Sequence, residues 1–354
     1  MSVVGARPQF VKLAPVAHAL SEAGHEHIIV HTGQHYDPNL SDVFFRDLGI
    51  PEPDVHLEVG SGAHGVQTGA MLGRMDGVIE EYAPDCVLVY GDTNSTLAAA
   101  LSAVKLHVPL VHLEAGLRSF NRRMPEEHNR VLTDHAADLC LAPTERAMEL
   151  LAQEGLSQRS TLVGDVMTDV LYRVREAVLA GAHDESDPLL ELHRAQPYLV
   201  ATLHRAETTD DPRKLNDVIA ALSESPTTVI LLAHPRLRAR AKEYGIALSG
   251  GAVIVSDPLP YPQLVRAVMG SVGVVTDSGG LQKEAFLLRV PCTTLRTETE
   301  WTETVALGWN VLAMTRSDIL AGIQRERPRA TTAEPYGDGK AAQRVVAAIV
   351  ANIG

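Results

Sequence analysis

Cysteine is scarce in this chain, and what there is cannot make a scaffold. Cys86, Cys140 and Cys292 are spread over 354 positions. They lack metal-ligand spacing and, being odd in number, cannot all pair. Neither a disulfide framework nor a zinc site is expected, and a reducing, cytoplasmic setting fits. Long apolar runs are missing too. None nears the ~18 residues of a membrane span, and no basic stretch followed by an apolar one marks a secretory leader. Positive charge is in deficit, with 31 Lys and Arg against 44 Asp and Glu and a formal net charge of −13. That argues against nucleic acid or an anionic membrane as the main partner, and any phosphate site must be a local cationic pocket. Internal repeats, low-complexity tracts, HExxH or Cys/His clusters, a Gly-x-Ser-x-Gly elbow and a P-loop are equally absent. No metal and no cofactor are expected.

What is present is an alternation. The length leaves room for two domains, and 45% hydrophobic against 21% charged residues lets each bury a core. Short apolar runs at 1–4, 26–31, 86–90, 108–113, 138–143 and 160–164 read as strands, as do those at 198–203, 227–233, 252–256, 272–276 and 292–295. Helical patterns separate them, which predicts parallel βαβ units and an α/β fold. The polar, helix-breaking "AGAHDESDP" at 180–188 places a linker or boundary near 165–190. The strands end in glycine or in reactive residues: "GARP" at 5–8, "TGQHYD" at 32–37, "GDTNST" at 91–96, "EAGLR" at 114–118, "HRAET" at 204–208 and "DSGG" at 277–280. In a parallel sheet these ends share one edge, where ligands bind. Two such edges predict two doubly wound domains facing a central cleft.

Each motif also has a plainer reading. In "TDSGGLQKEA" at 276–285, Ser278 can cap a helix whose first residues, Gly279 and Gly280, let a phosphate reach free N–H groups; Glu284, one to two turns in, can accept from ribose hydroxyls. An ordinary Ser-capped helix would look the same. Arg7 and Lys12 are two cations at a turn and its helix, able to meet a diphosphate or simply exposed. Asp92 can cap the helix after its strand, or join Glu114 and Glu126 in a carboxylate cluster whose repulsion and burial raise a pKa for acid–base work. His204, beside Arg205, adds positive charge on the opposite wall or is a satisfied core histidine. "GSGAHG" at 60–65 matches a dinucleotide fingerprint in letters only, since it is not in the first βα unit and the preceding "DVHLEV" is a poor buried strand.

Together "GARPQFVK", "TGQH", "GDTNSTL", "HLEAGLRS", "MPEEHNR", "HRAET", "TDSGGLQKEA" and "PYGDGKAAQRV" resemble, in order and nearly end to end, the non-hydrolysing UDP-N-acetylglucosamine 2-epimerases. The resemblance implies a GT-B-like arrangement: an N-terminal Rossmann-like domain at 1–166, a UDP-binding one at 167–335, and a helix at 336–354 crossing back. It also implies a UDP-sugar as partner and a homodimer. Carried over by motif, Arg7, His204, Ser278, Gly279 and Gly280 would bind the diphosphate, Glu284 the ribose, and backbone near Leu259 and Leu264 the uracil. Lys12, Asp92, Glu114, Glu126 and Arg130 would surround the sugar, with Glu127 a structural neighbour.

The implied reaction interconverts UDP-GlcNAc and UDP-ManNAc by eliminating UDP to a bound 2-acetamidoglucal and adding it back. One carboxylate takes the C2 proton and a donor serves the other face; the sequence does not say which of Asp92, Glu114 and Glu126 does which. Cations, His204 and Lys12 among them, stabilise the departing diphosphate. "TETEWTET" at 297–304 departs from the family, with Trp301 where many members have arginine. That stretch and "GARPQF" resemble the branch acting on UDP-2,3-diacetamido-2,3-dideoxyglucuronate, whose carboxylate Arg122 or Arg123 could meet. Gln34 matches the family's activator site, while 60–67 departs from it. The competing readings are a hydrolysing 2-epimerase, a nucleotide-sugar glycosyltransferase, which would need an acceptor, and a non-catalytic UDP-sugar binder.

Overall fold

The computed structural model describes residues 1–34, 50–181 and 196–353, with only the backbone of Arg7. His35 and the stretch 182–188 of the expected linker lie outside the described residues. The chain forms two compact units, Met1–Tyr172 with Glu334–Gly354, and Arg173–Ala333.

In the first unit, β1 (Ser2–Val4), β2 (Ile29–His31), β3 (Val55–His56), β4 (Val87–Tyr90), β5 (Leu110–Leu113), β6 (Leu139–Ala142) and β7 (Ser160–Leu162) form a parallel sheet. Its order is β3-β2-β1-β4-β5-β6-β7. Between strands run α1 (Arg7–Glu22), α2 (His64–Tyr82), α3 (Asn94–Lys105), α4 (Pro125–Ala136) and α5 (Glu145–Gln153), and α6 (Val166–Leu179) follows β7. Alternation along each strand feeds two cores. In β4, Leu88 and Tyr90 pack with Phe10, Leu13 and Val16 of α1, while Val87 and Val89 pack with Met75 and Ile79 of α2 and Ala99 and Ala103 of α3. Burial on both faces is why these strands read as unbroken apolar runs.

The second unit repeats the plan. Strands β8 (Tyr198–Leu203), β9 (Thr228–Ala233), β10 (Val253–Ser256), β11 (Gly273–Thr276), β12 (Cys292–Thr294) and β13 (Asn310–Leu312) run parallel in the order β10-β9-β8-β11-β12-β13. Helices α7 (Ala206–Thr209), α8 (Pro212–Ser223), α9 (Pro235–Tyr244), α10 (Tyr261–Gly270), α11 (Gly279–Leu287), α12 (Thr302–Ala306) and α13 (Arg316–Gln324) cover it. Proline in the first turn of α1, α4, α8, α9 and α10 sits where its missing N–H costs nothing. The final helix, α14 (Ala341–Ile353), belongs to the first unit, where Val345 and Val346 join the α1 core and Asp169 accepts from the N–H groups of Ala341 and Ala342.

Both sheets reverse strand order at one place, between β1 and β4 and between β8 and β11. The strand ends there are Gly5 and Gly91 in the first unit, and His204 and Asp277 in the second. These are the topological switch points at which doubly wound sheets take ligands. Two strands escaped the sequence reading. β3 is a two-residue, partly exposed edge strand within "DVHLEV", and β13 is a three-residue edge strand; neither has the length or burial that makes a pattern. Among the described residues, no helix is long and apolar enough to cross a membrane.

Candidate active site

At the first switch point the turn from β1 into α1 must come very close to its neighbours. A Cβ on Gly5 would fall on the hydroxyls of Thr32 and Ser95, so only glycine fits. Gln9 locks the turn, its Oε1 accepting from the N–H groups of Gly5 (2.8 Å) and Ala6 (3.1 Å) while its amide donates to the Tyr90 carbonyl at 2.9 Å. This ties the "GARPQ" turn to the end of β4 and sets the α1 face that carries Lys12.

Lys12 Nζ lies 2.6 Å from Glu114 Oε2. Arg130, on α4, places one nitrogen 2.6 Å from Asp92 Oδ2 and 3.0 Å from Glu114 Oε1, and another donates to the Glu114 carbonyl. Burial works against the Arg130 charge, but Asp92, Glu114 and Asp134 outweigh it and hold the guanidinium firmly protonated. The expected cluster of mutually repelling carboxylates is therefore corrected. Asp92 and Glu114 do meet, but across a shared arginine, because two carboxylates this close are held only with cations between them. Glu114 occupies this position with φ of 68°, a left-handed conformation a non-glycine residue rarely adopts. A Cβ on Gly91 would stand 3.2 Å from Lys12 Nζ, so glycine before Asp92 leaves room for the ammonium.

Asp92 does not cap α3. The cap is Thr93, whose hydroxyl accepts from Thr96 N–H, leaving the aspartate carboxylate to Arg130. Asn129 donates to the Asp92 carbonyl at 2.9 Å, a contact the sequence reading missed. The paired glutamates divide their work. Glu127 is buried and accepts from Ser119 N–H and Oγ, each 2.7 Å, and from Phe120 N–H at 3.1 Å, which fixes the loop ahead of α4. Glu126 stands exposed in the first turn, and among the described residues neither an ion pair nor a hydrogen bond joins it to Asp92 or Glu114.

Behind β5, the buried Asp134 is held below the ordinary carboxylate range. Burial would raise it, but His112, Arg118 and Arg130 outweigh that. The sequence singles out neither His112 nor Asp134, since one lies inside an apolar run and the other reads as a helix surface residue.

At the second switch point His204 Nδ1 lies 3.2 Å from Asp277 Oδ1, with 42% of its side chain exposed, so it is no core histidine. Asp277 also accepts from the backbone N–H groups of His204 and Arg205, at 3.0 Å each from Oδ2. Burial would raise the Asp277 carboxyl, but the His204 side chain and these N–H donors hold it low. Ser278 caps α11 through Leu281 N–H, and Gly279 and Gly280 open the helix, as the motif predicts. A Cβ on Gly279 would come within 2.5 Å of Glu300 Oε1 and 3.3 Å of Arg205, so the helix start is crowded by charged groups. Trp301 donates its indole N–H to the Gly279 carbonyl at 2.8 Å, and the Lys283 ammonium sits 4.2 Å above its ring. Glu284 accepts from Tyr261 at 2.9 Å, and burial, then the neighbouring carboxylate, push that phenol up. Leu259 and Leu264 pack against the β8–β11 core. The Arg7 side chain lies outside the described residues. Among those described, no group of three or more His, Cys, Asp or Glu is placed to hold a metal ion.

The comparisons with known proteins agree with one another. A family model described as UDP-N-acetylglucosamine 2-epimerase matches residues 18–350. The chain is 44% identical to the UDP-2,3-diacetamido-2,3-dideoxy-D-glucuronate 2-epimerase of Pseudomonas aeruginosa, over 98% of this chain and 97% of that one. The crystal structure of Methanocaldococcus jannaschii UDP-GlcNAc 2-epimerase in complex with UDP-GlcNAc and UDP is similar with a TM-score of 0.80 and 36% identity, covering 99% of each chain. UDP-GlcNAc 2-epimerase from Neisseria meningitidis bound to UDP-GlcNAc gives 0.85 and 26%, again over 99% of each. With two doubly wound sheets, charged residues at both switch points and this agreement, the chain belongs to the UDP-N-acetylglucosamine 2-epimerase family and is a UDP-sugar 2-epimerase, an isomerase.

Proposed function

We propose that the enzyme inverts C2 of a UDP-2-acetamido sugar by elimination and re-addition of UDP. The observation that carries this is the arrangement in which Asp92 and Glu114 share Arg130, with Lys12 on the far oxygen of Glu114. The C2 hydrogen is scarcely acidic, so its removal needs a positioned carboxylate and a leaving group that takes the electron pair. One carboxylate accepts the C2 proton, the C1–O bond breaks with its electrons going to UDP, and a C1=C2 glycal remains. A protonated group on the other face then gives its proton to C2 as a UDP oxygen attacks C1, which yields the epimer; the base returns its proton to solvent and the donor regains one from it. Both steps conserve charge, and neither consumes a second reactant.

Lys12 and Arg130 answer charge that moves during the reaction, and being already in place they need no reorganisation. In the second unit, the α11 N-terminus with Ser278, Gly279 and Gly280, together with His204, suits a diphosphate. Glu284, oriented by Tyr261, suits ribose hydroxyls, and backbone near Leu259 and Leu264 suits uracil. UDP-GlcNAc is the ligand named for the Methanocaldococcus and Neisseria structures, which supports the nucleotide half of this reading.

For the sugar, the 44% identity to the diacetamido-glucuronate enzyme favours the uronate over UDP-GlcNAc, and the exposed Arg122 and Arg123 on the loop before α4 are available to its carboxylate. UDP-GlcNAc is the second reading, favoured by the 37% identity to the Methanocaldococcus enzyme of that name. Each nucleotide sugar should be incubated alone with the enzyme and the products followed by proton NMR. A manno-configured product from the uronate at a rate well above that from UDP-GlcNAc supports the first reading, and the reverse order supports the second. No epimer from either, with turnover only when a sugar acceptor is added, contradicts both.

A further inference from the structure

His112 is the third residue of β5, two before Glu114, and its imidazole is fully buried. Nδ1 faces Asp134 Oδ1 at 2.6 Å and Nε2 faces the Gly91 carbonyl at 2.7 Å. A carbonyl only accepts, so Nε2 carries a proton. The second oxygen of Asp134 accepts from Gly116 N–H at 3.1 Å and from the Arg118 guanidinium at 2.7 Å, so the carboxylate is ionised and Nδ1 carries a proton as well. We propose that His112 is a buried imidazolium that acts as a positioning residue, joining through Gly91 and Asp134 the two turns that carry Asp92 and Glu114.

The linkage is short at both ends. Gly91 is adjacent to Asp92, and Gly116 is two residues past Glu114. The turns it joins are bent into the left-handed region at Gly91 (64°), Glu114 (68°) and Gly116 (83°), a conformation that surrounding contacts must hold. A Cβ on Gly116 would meet the Ala147 carbonyl at 2.6 Å, so this backbone has no slack.

The ring meets Asp134 of α4, and Asp134 in turn is influenced by Arg130 of α4 and Arg118 of the loop after β5, while the Cys140 thiol of β6 donates to the Asp134 carbonyl at 3.4 Å. Beyond Arg118 lie Glu154, held bidentately at 2.8 Å through two nitrogens, and His135. With the imidazolium, the cations Lys12, Arg118, Arg130 and His112 balance the carboxylates Asp92, Glu114, Asp134 and Glu154. A neutral ring would leave one negative charge uncompensated beside the carboxylates proposed to exchange a proton with substrate.

This inference rests on the role proposed for Asp92 and Glu114, but its charge is measurable without substrate. In the full-length, ligand-free protein labelled with ¹⁵N-histidine, NMR should find a proton on each His112 ring nitrogen at pH 8. A bare nitrogen overturns the proposal. Asp134→Asn and His112→Gln should each lower kcat on the order of 100-fold, as expected of a small misplacement of catalytic groups. KM for whichever UDP-sugar the wild type turns over, and affinity for UDP, should stay within about threefold. Unchanged kcat, or kcat and KM spoiled together with a lowered melting temperature, overturns the positioning role. Should either variant fail to fold, the ring measurement on the unaltered protein decides. Failure of the wild type to turn over either sugar would count against the reaction proposed above and leave the ring result standing on its own.

Discussion

Arg130 reaches from α4 to the end of β4, where its guanidinium lies 2.6 Å from the Asp92 carboxylate. The same nitrogen is 3.0 Å from Glu114, and only 8% of the arginine side chain is exposed. One buried cation thus joins two carboxylates, of which Glu114 also holds Lys12. Arg130→Met should destabilise the protein by about 1–3 kcal/mol, the range for losing charged hydrogen bonds, since Glu114 keeps Lys12 and Asp92 is a third exposed to water. Urea unfolding followed by circular dichroism measures it, and a midpoint equal to wild type would show that the contact carries no weight.

Asp92→Asn and Glu114→Gln keep shape and remove the capacity to take a proton. Each should cut the epimerisation rate by about 10²–10⁴-fold. Calorimetry should find UDP affinity within severalfold of wild type, since the proposed nucleotide contacts lie in the other unit. A rate within twofold for either variant removes that residue from the mechanism.

Gly279→Ala tests the nucleotide end. The new methyl meets the half-exposed Glu300 carboxylate, which can swing aside, so stability should change by less than about 1 kcal/mol. A diphosphate approaching the same backbone has no such freedom, and UDP affinity should fall at least about tenfold, or 1.4 kcal/mol. Wild-type affinity in this variant would move the phosphates away from the α11 N-terminus.

Acid should weaken the fold through Asp134 and Asp277, both held below the ordinary carboxylate range. The unfolded chain protonates them near pH ~4, while the folded chain resists, so stability is complete above that pH and declines as pH falls below it. Urea midpoints should drop between about pH 4.5 and 3, and Asp277→Asn should flatten the drop. A midpoint that rises with acid contradicts the ionised states assigned here.

The strand ends were the most legible part of the sequence. Parallel strands buried on both faces leave short apolar runs, and each such run points to the residue after it, which is how Asp92, Glu114, His204 and Ser278 came forward. Sequence could not assign partners. Asp92 beside a helix start reads first as a cap, a role that Thr93 takes, and the two glutamates of "MPEEHNR" differ only in which way a helix turns them. His112 and Asp134 are hidden because a histidine inside an apolar run looks like core, and its partner lies 22 positions on. The edge strands β3 and β13 are too short to carry a period.

The most direct measurement is solvent isotope uptake. The enzyme is incubated in D₂O with the UDP-sugar it turns over, and C2 of the product is read by proton NMR. Elimination and re-addition requires that the C2 proton leave, so deuterium is expected at C2 of the epimer, dependent on Asp92 and Glu114. An epimer that retains its original hydrogen at C2 would mean that the carboxylates around Arg130 do not exchange that proton with solvent, and would contradict elimination and re-addition.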